Sequence, residues 1–198
     1  MKIMPPDAFL ALRAGATVIE ADSFGEKVLL LVDGSMLKLF RRKRLLSSAA
    51  WYPYAERFAD NASALRQRGI PVPEVIDVFR IPSIGRDAVH YHPLPGRTLR
   101  QLRREGLEPS REARLKDAFT HLLVELHEKG VYFRSLHLGN VVCTPDGRLG
   151  LIDIADVRMS RRPLRRHQRI RNLQRLLKTA DESEWVDEKA ILERRPKT

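Results

Sequence analysis

One cysteine, Cys143, stands among the 198 residues. A single thiol excludes an internal disulfide and a cysteine-built zinc cluster, and it fits a reducing cytoplasm. Long apolar runs are missing too: the longest, Val28–Val32, is far too short to span a bilayer. Pro5, Pro6 and Asp7 interrupt the place where a secretory leader would carry its apolar segment, so no signal peptide is expected. Aromatic residues make up 7% of the chain and do not interleave with basic ones, so no base-stacking platform for nucleic acid is indicated. The six histidines show no ligand spacing, which argues against a metalloenzyme built on them. Internal repeats and low-complexity tracts are absent. So are acidic residues from Val157 to Ala180, where Arg158, Arg161, Arg162, Arg165, Arg166, Arg169, Arg171, Arg175 and Lys178 crowd together.

What is present bounds the class. Hydrophobic residues at 43% suffice for a core, and the length suits one domain or two small lobes sharing a cleft. Lys and Arg number 36 against 25 Asp and Glu, a formal charge of +11. That excess favours an anionic partner, whether nucleic acid, anionic lipid or a phosphorylated glycan, although basic proteins without such partners are common.

Along the chain, Thr17–Glu20 and Lys27–Val32 read as strands. Asp33-Gly34 reads as a hairpin turn with positive φ at both central residues, returning through Met36–Phe40. Period-two alternation places Lys38 with Met36 and Phe40, so its charge projects from an apolar sheet face, as either an edge-guarding or a functional lysine. A helix over Pro53–Arg68 carries Ala55, Phe58, Ala59, Ala62 and Leu65 as its stripe, with Glu56 beside it. Val75–Phe79 and Ala88–His92 complete five antiparallel strands with one helix. Pro93-Leu94-Pro95-Gly96 breaks the pattern and divides the chain into lobes 1–92 and 93–198. Beyond lie a short helix from Thr98 and a longer one over Ser110–Lys129, with Ser110 as N-cap and Gly130 at the C-terminal cap. Leu164, Ile170, Leu173, Leu176 and Leu177 give the basic segment an apolar stripe, and Ile191–Thr198 reads as frayed.

The most informative stretch is Val131–Asp156, V-Y-F-R-S-L-H-L-G-N-V-V-C-T-P-D-G-R-L-G-L-I-D-I-A-D. Arg134 and Asn140, then a turn at Pro145-Asp146-Gly147, then an apolar strand ending in Asp153, repeat the spacing of a phosphotransferase loop and its metal-binding carboxylate. A triphosphate bridged by Mg²⁺ needs oxygen ligands on a rigid support, and a loop amide joined by a hairpin to a strand-end carboxylate supplies them.

Together these features resemble the protein-kinase-like fold, in the bacterial branch of lipopolysaccharide core kinases acting on Kdo and heptose, with relatives named as toluene-tolerance proteins. The residues carrying the resemblance are M-L-K-L-F with Lys38, Glu56, H-Y-H-P-L-P-G-R-T-L, L-H-L-G-N with Asn140 and L-I-D-I-A-D with Asp153. They cover roughly Thr17 to Lys178. The resemblance implies an α+β two-lobe fold, an N-terminal antiparallel sheet with one helix followed by a reduced, mainly helical C-terminal lobe. It implies ATP and Mg²⁺ as cofactors: Lys38 contacts the α/β-phosphates and pairs with Glu56, His92 to Leu94 receive the adenine, and Asn140 and Asp153 hold the metal. It also implies a cytoplasmic location at the inner-membrane face, with the basic segment docking core glycan or the anionic membrane surface.

Three positions depart from the pattern. Ser135 stands where the catalytic Asp belongs, and a hydroxyl cannot take a proton near neutral pH. His137 and Asp156 are the nearby titratable groups, each readable as a substitute base or as a structural residue, while Asp153 remains the metal-side carboxylate. The phosphate-covering glycine loop is reduced to Gly25, and Phe133 replaces the motif's His as a core aromatic, with Arg134 as a possible structural ion-pair partner. An active sugar kinase, a nucleotide-binding or scaffolding pseudokinase, and a nucleic-acid-associated relative are the three readings, in that order.

Overall fold

The computed structural model describes residues 1–42, 52–178 and 180–193, with Arg175 and Ala180 described in backbone only. The chain divides into two compact units, Met1–Gln67 with Val72–Leu94, and Arg68–Pro71 with Pro95–Thr198.

The first unit comprises, in order, β1 (Lys2–Ile3), α1 (Pro6–Arg13), β2 (Thr17–Asp22), β3 (Gly25–Leu30), β4 (Met36–Arg41), α2 (Tyr54–Gln67), β5 (Glu74–Ile81) and β6 (Arg86–His92). Its strands form one six-stranded mixed sheet in the order β1-β5-β6-β4-β3-β2, with β1 parallel to β5 and the other neighbours antiparallel. The expected five-stranded antiparallel sheet with one helix is thereby corrected. Two residues of β1 offer no alternation to read. They are fixed from afar, by Lys2 on Asp77 and by the Met4 N–H on the Arg80 carbonyl at 2.8 Å. The Pro5-Pro6-Asp7 run that breaks an apolar leader also starts α1, since proline in a first turn sacrifices no helical bond and Asp7 suits the positive end.

Alternation along β4 sorts its two faces. Leu37 and Leu39 enter an apolar cluster with Met4, Phe9, Leu29, Leu31, Ile81 and Ala88, so Phe9 of α1 helps cover that face. Met36, Lys38 and Phe40 turn the other way, where Phe40 stacks on Tyr54 of α2 and Phe58 packs against Tyr91. Asp33-Gly34 does turn the chain, but only Gly34 has positive φ, at 82°. The Leu31 carbonyl accepts from the Gly34 N–H and the Leu31 N–H donates to Ser35, so the turn is one residue longer than the two-residue form expected.

The second unit comprises β7 (Arg97–Thr98), α3 (Leu99–Arg104), α4 (Pro109–Glu128), β8 (Val131–Phe133), β9 (Val141–Cys143), β10 (Leu149–Leu151), β11 (Val157–Met159), α5 (Arg166–Leu177), α6 (Ala180–Ser183) and α7 (Glu188–Glu193). Two small sheets, β10-β9-β7 and β11-β8, link the helices. α4 buries Leu115, Phe119, Leu122, Leu123 and Leu126. It is entered through Glu108 rather than the expected cap Ser110, whose hydroxyl donates to the Glu108 carboxylate at 3.1 Å. Gly130, with φ 71°, ends it in the left-handed turn a C-terminal glycine permits.

α5 departs from its expected stripe. Leu164, Leu173 and Leu176 are buried, but so are Arg169 and Asn172, while Ile170 and Leu177 stay half-buried. Arg169 therefore leaves the basic face: its Nε donates to the Leu164 carbonyl at 3.0 Å and Nη1 to the Ile191 carbonyl at 3.4 Å. Ile191, expected to fray, is fully buried in α7, and residues 194–198 of that expected frayed end lie outside the described residues. Among the described residues, no helix is long and apolar enough to cross a membrane.

Candidate functional site

The loop from Arg134 to Asn140 joins β8 to β9. Phe133, Leu136 and Leu138 are fully or almost fully buried and pin it at three points, which leaves the intervening Arg134, Ser135 and His137 nearer solvent. A turn of 3-10 helix over Leu138–Asn140 closes it, with the Asn140 N–H donating to the His137 carbonyl at 2.9 Å. The His137 ring packs on Gly139, where an added Cβ would come within 3.0 Å of the imidazole and 2.9 Å of Arg100.

Asn140 is buried and works in two directions. Its Nδ2 donates to the Ser135 carbonyl at 3.1 Å, and its own carbonyl accepts from the Ile152 N–H at 3.0 Å. The second bond brings the residue preceding Asp153 against Asn140, through the β9–β10 hairpin whose Gly147 turn falls where the sequence places it. Asp153 has φ 55° and ψ 43°, and among the described residues no other non-glycine residue has positive φ. Such a backbone costs about 1 kcal/mol and is typical of functional positions.

A second carboxylate meets the loop. Asp156 accepts the Ser135 hydroxyl at 2.8 Å on Oδ1, and its Oδ2 lies 3.7 Å from Nε of Arg134. The position that lacks an acid in sequence thus has one in space, delivered from twenty-one residues downstream.

Two supports beneath the loop carried no sequence signal. Asn172 of α5 donates to the Phe133 carbonyl at 2.7 Å, and its Oδ1 pairs with Nε2 of His127 at 3.0 Å. Nε2 therefore carries the ring proton, and the buried Nδ1 has no hydrogen-bond partner among the described residues. Burial drives the His127 pKa down to about 4, assisted by the nearby Arg169 charge and opposed by the Asn172 bond. Glu182, almost fully buried, takes Arg100 of α3 at 2.5 Å and receives the Leu138 N–H at 3.4 Å.

The remaining predicted residues lie in the first unit. Lys38 projects from the sheet face that α2 covers, its Nζ 5.8 Å from the Phe40 ring centre. Glu56 rides on α2, with its carboxylate 3.5 Å from the Met1 α-amino group. His92 is exposed at the end of β6 opposite Glu74, and Leu94 is half-buried two residues on. In the β2–β3 turn the Phe24 N–H donates to Asp22 at 2.8 Å, ahead of Gly25 at φ 107°.

Among the described residues, no group of three or more His, Cys, Asp or Glu could hold a metal alone. The amide of Asn140 and the carboxylate of Asp153 are hard oxygen donors, and one or two protein ligands suffice for Mg²⁺ when substrate phosphates and water complete its shell. With Nδ2 of Asn140 engaged on Ser135, Oδ1 is the side-chain oxygen left to serve as a donor. The residues fit the ion. No family model matches the chain, and no curated protein matches it.

Proposed function

We propose that the protein is a kinase-like, ATP-dependent phosphotransferase acting on a sugar hydroxyl of lipopolysaccharide core, at the cytoplasmic face of the inner membrane. The observation that carries this reading is the Asp156 carboxylate 2.8 Å from the Ser135 hydroxyl. A serine alone is no base, but a serine backed by a carboxylate relays a proton. The acceptor hydroxyl would give its proton to Ser135 Oγ as Ser135 passes its own to Asp156 Oδ1, and the acceptor oxygen would bond to the terminal phosphorus as the bond from that phosphorus to ADP breaks, ADP leaving with the electron pair. Arg134 Nε lies 3.7 Å from Oδ2 of the same carboxylate.

Asn140 and Asp153 would hold Mg²⁺, which when bound neutralises phosphate charge. Lys38 is assigned the α/β-phosphates, Glu56 the orientation of that lysine, and the backbone of His92–Leu94 the adenine. The basic face around α5 is assigned to anionic glycan or membrane surface.

A thermal-shift titration with ATP, with and without Mg²⁺ or Mn²⁺, tests the nucleotide half. The wild type shows a metal-dependent shift that Asp153→Ala abolishes, and no shift in the wild type overturns the proposal. Asp156→Asn tests the relay: transfer to dephosphorylated core falls about 10²–10⁴-fold while the ATP shift persists.

A pseudokinase is the second reading, favoured by the β2–β3 turn, where Asp22 occupies the Phe24 N–H and sets a negative charge in place of a phosphate cradle. An ATP shift with no transfer to any core acceptor selects it.

A further inference from the structure

In the β8–β11 ribbon, Val131, Phe133 and Val157 point inward and are buried. Tyr132 lies directly opposite Arg158, so alternation sets Tyr132, Arg134 and Arg158 on the outward face. The start of α5 faces them with His167 and Gln168, and Arg171 follows one turn on. These side chains line a cavity of about 510 Å³ that contains no carboxylate among its lining residues.

Charge is distributed unevenly around this cavity. Elsewhere some arginines are matched to acids, as Arg13 to Glu26, Arg80 to Asp87, Arg100 to Glu182 and Arg103 to Asp181, and others, as Arg66, Arg86 and Arg148, donate to backbone carbonyls. Among the described residues, Arg158 and Arg171 make no ion pair, and Arg134 has only its 3.7 Å approach to Asp156. Unmatched guanidinium groups converging on a concavity, beside the positive end of a twelve-residue helix, form an anion site. The arginine fork fits phosphate oxygens in pairs, which a lysine-rich membrane patch would not require. The volume falls in the range of small-molecule sites and far exceeds one phosphate.

We propose that this cavity binds a phosphomonoester borne on a sugar-sized molecule, with Arg158 and Arg171 gripping the phosphate and Tyr132 flanking its carrier. The site rests on the proposed function only for the role of its occupant; binding itself needs neither nucleotide nor metal. Arg134 links the cavity to the reactive loop, because it shares Asp156 with Ser135.

Calorimetric titration of the full chain with glucose 6-phosphate, glucose and inorganic phosphate, without nucleotide or metal, tests the site. Glucose 6-phosphate binds more tightly than inorganic phosphate, and glucose does not bind. Arg158→Gln and Arg171→Gln each weaken binding about tenfold or more. The exposed pair Arg111→Gln with Arg114→Gln on α4, outside the cavity, leaves it unchanged. No binding of glucose 6-phosphate, equal weakening by the control pair, or inorganic phosphate binding as tightly as the ester each overturn the proposal. Sedimentation with phosphatidylcholine vesicles with and without phosphatidylglycerol separates the lipid source: binding to anionic vesicles that Arg158→Gln/Arg171→Gln abolishes, without glucose 6-phosphate binding, also overturns it. The ATP thermal shift reports separately on the nucleotide reading, so either can fail alone.

Discussion

Two turns of this chain are held in opposite ways. The turn from Leu31 to Ser35 is closed mostly by its own atoms: Leu31 bonds to Gly34 and Ser35, and Asp33 accepts both the Ser35 N–H and its hydroxyl. A distant hydrogen bond, Ser35 to His90 at 2.7 Å, adds to these. The loop from Arg134 to Asn140 has local bonds too, from Asn140 to the His137 and Ser135 carbonyls, but remote groups add to them. Its shape depends on Asp156, Asn172 and Glu182, which approach from twenty-one to forty-four residues away. A local turn forms as soon as its residues meet, whereas a loop fixed by remote groups exists only in the finished fold. Side chains can then be displayed in the arrangement chemistry needs, at the cost of making distant residues indispensable.

The contrast breaks most readily at Asn172. Asn172→Leu leaves the His127 Nε2–H buried and unpaired and the Phe133 carbonyl with only the Leu136 N–H at 3.2 Å, a loss of about 3 kcal/mol. Urea denaturation reads the loss. A loss below about 1 kcal/mol would show that the loop holds without its remote support. Acid probes the same support more gently. His127 stays neutral in the fold down to about pH 4, while the unfolded chain takes its proton below about 6.5. Its contribution is complete above pH 6.5 and is lost as pH falls toward 4, by about 3 kcal/mol in all. In His127→Gln that segment of the stability–pH curve flattens; an unchanged slope refutes the assignment. The local turn gives the smallest effect. Ser35→Ala costs about 1 kcal/mol, read by the same denaturation series, and leaves the ATP thermal shift as it was.

Legibility in the sequence follows the same division. The alternation of β4, the stripe of α4 and the Gly147 turn depend on neighbours a few residues apart, and each lies where the pattern places it. The spacing from Ser135 through Asn140 to Asp153 was equally readable, because one hairpin connects them. What escaped was fixed by long-range pairing or by burial. β1 pairs with a strand some seventy-five residues away. Arg169 counts toward a basic face by composition, but packing turns it inward onto two carbonyls. Asn172 and Glu182 look like ordinary surface polar residues until the fold brings backbone groups to them. Asp156 was legible as a candidate, and its bond to Ser135 was not.

The left-handed backbone of Asp153 has a consequence for how the chain can change. Glycine adopts that conformation without penalty, so Asp153→Gly would recover about 1 kcal/mol while Asp153→Ala would recover nothing. A library of variants screened for heat tolerance alone should therefore drift toward glycine at this position. A library screened for turnover should hold the acid in place, and the residue recovered there would report which demand the chain had been serving.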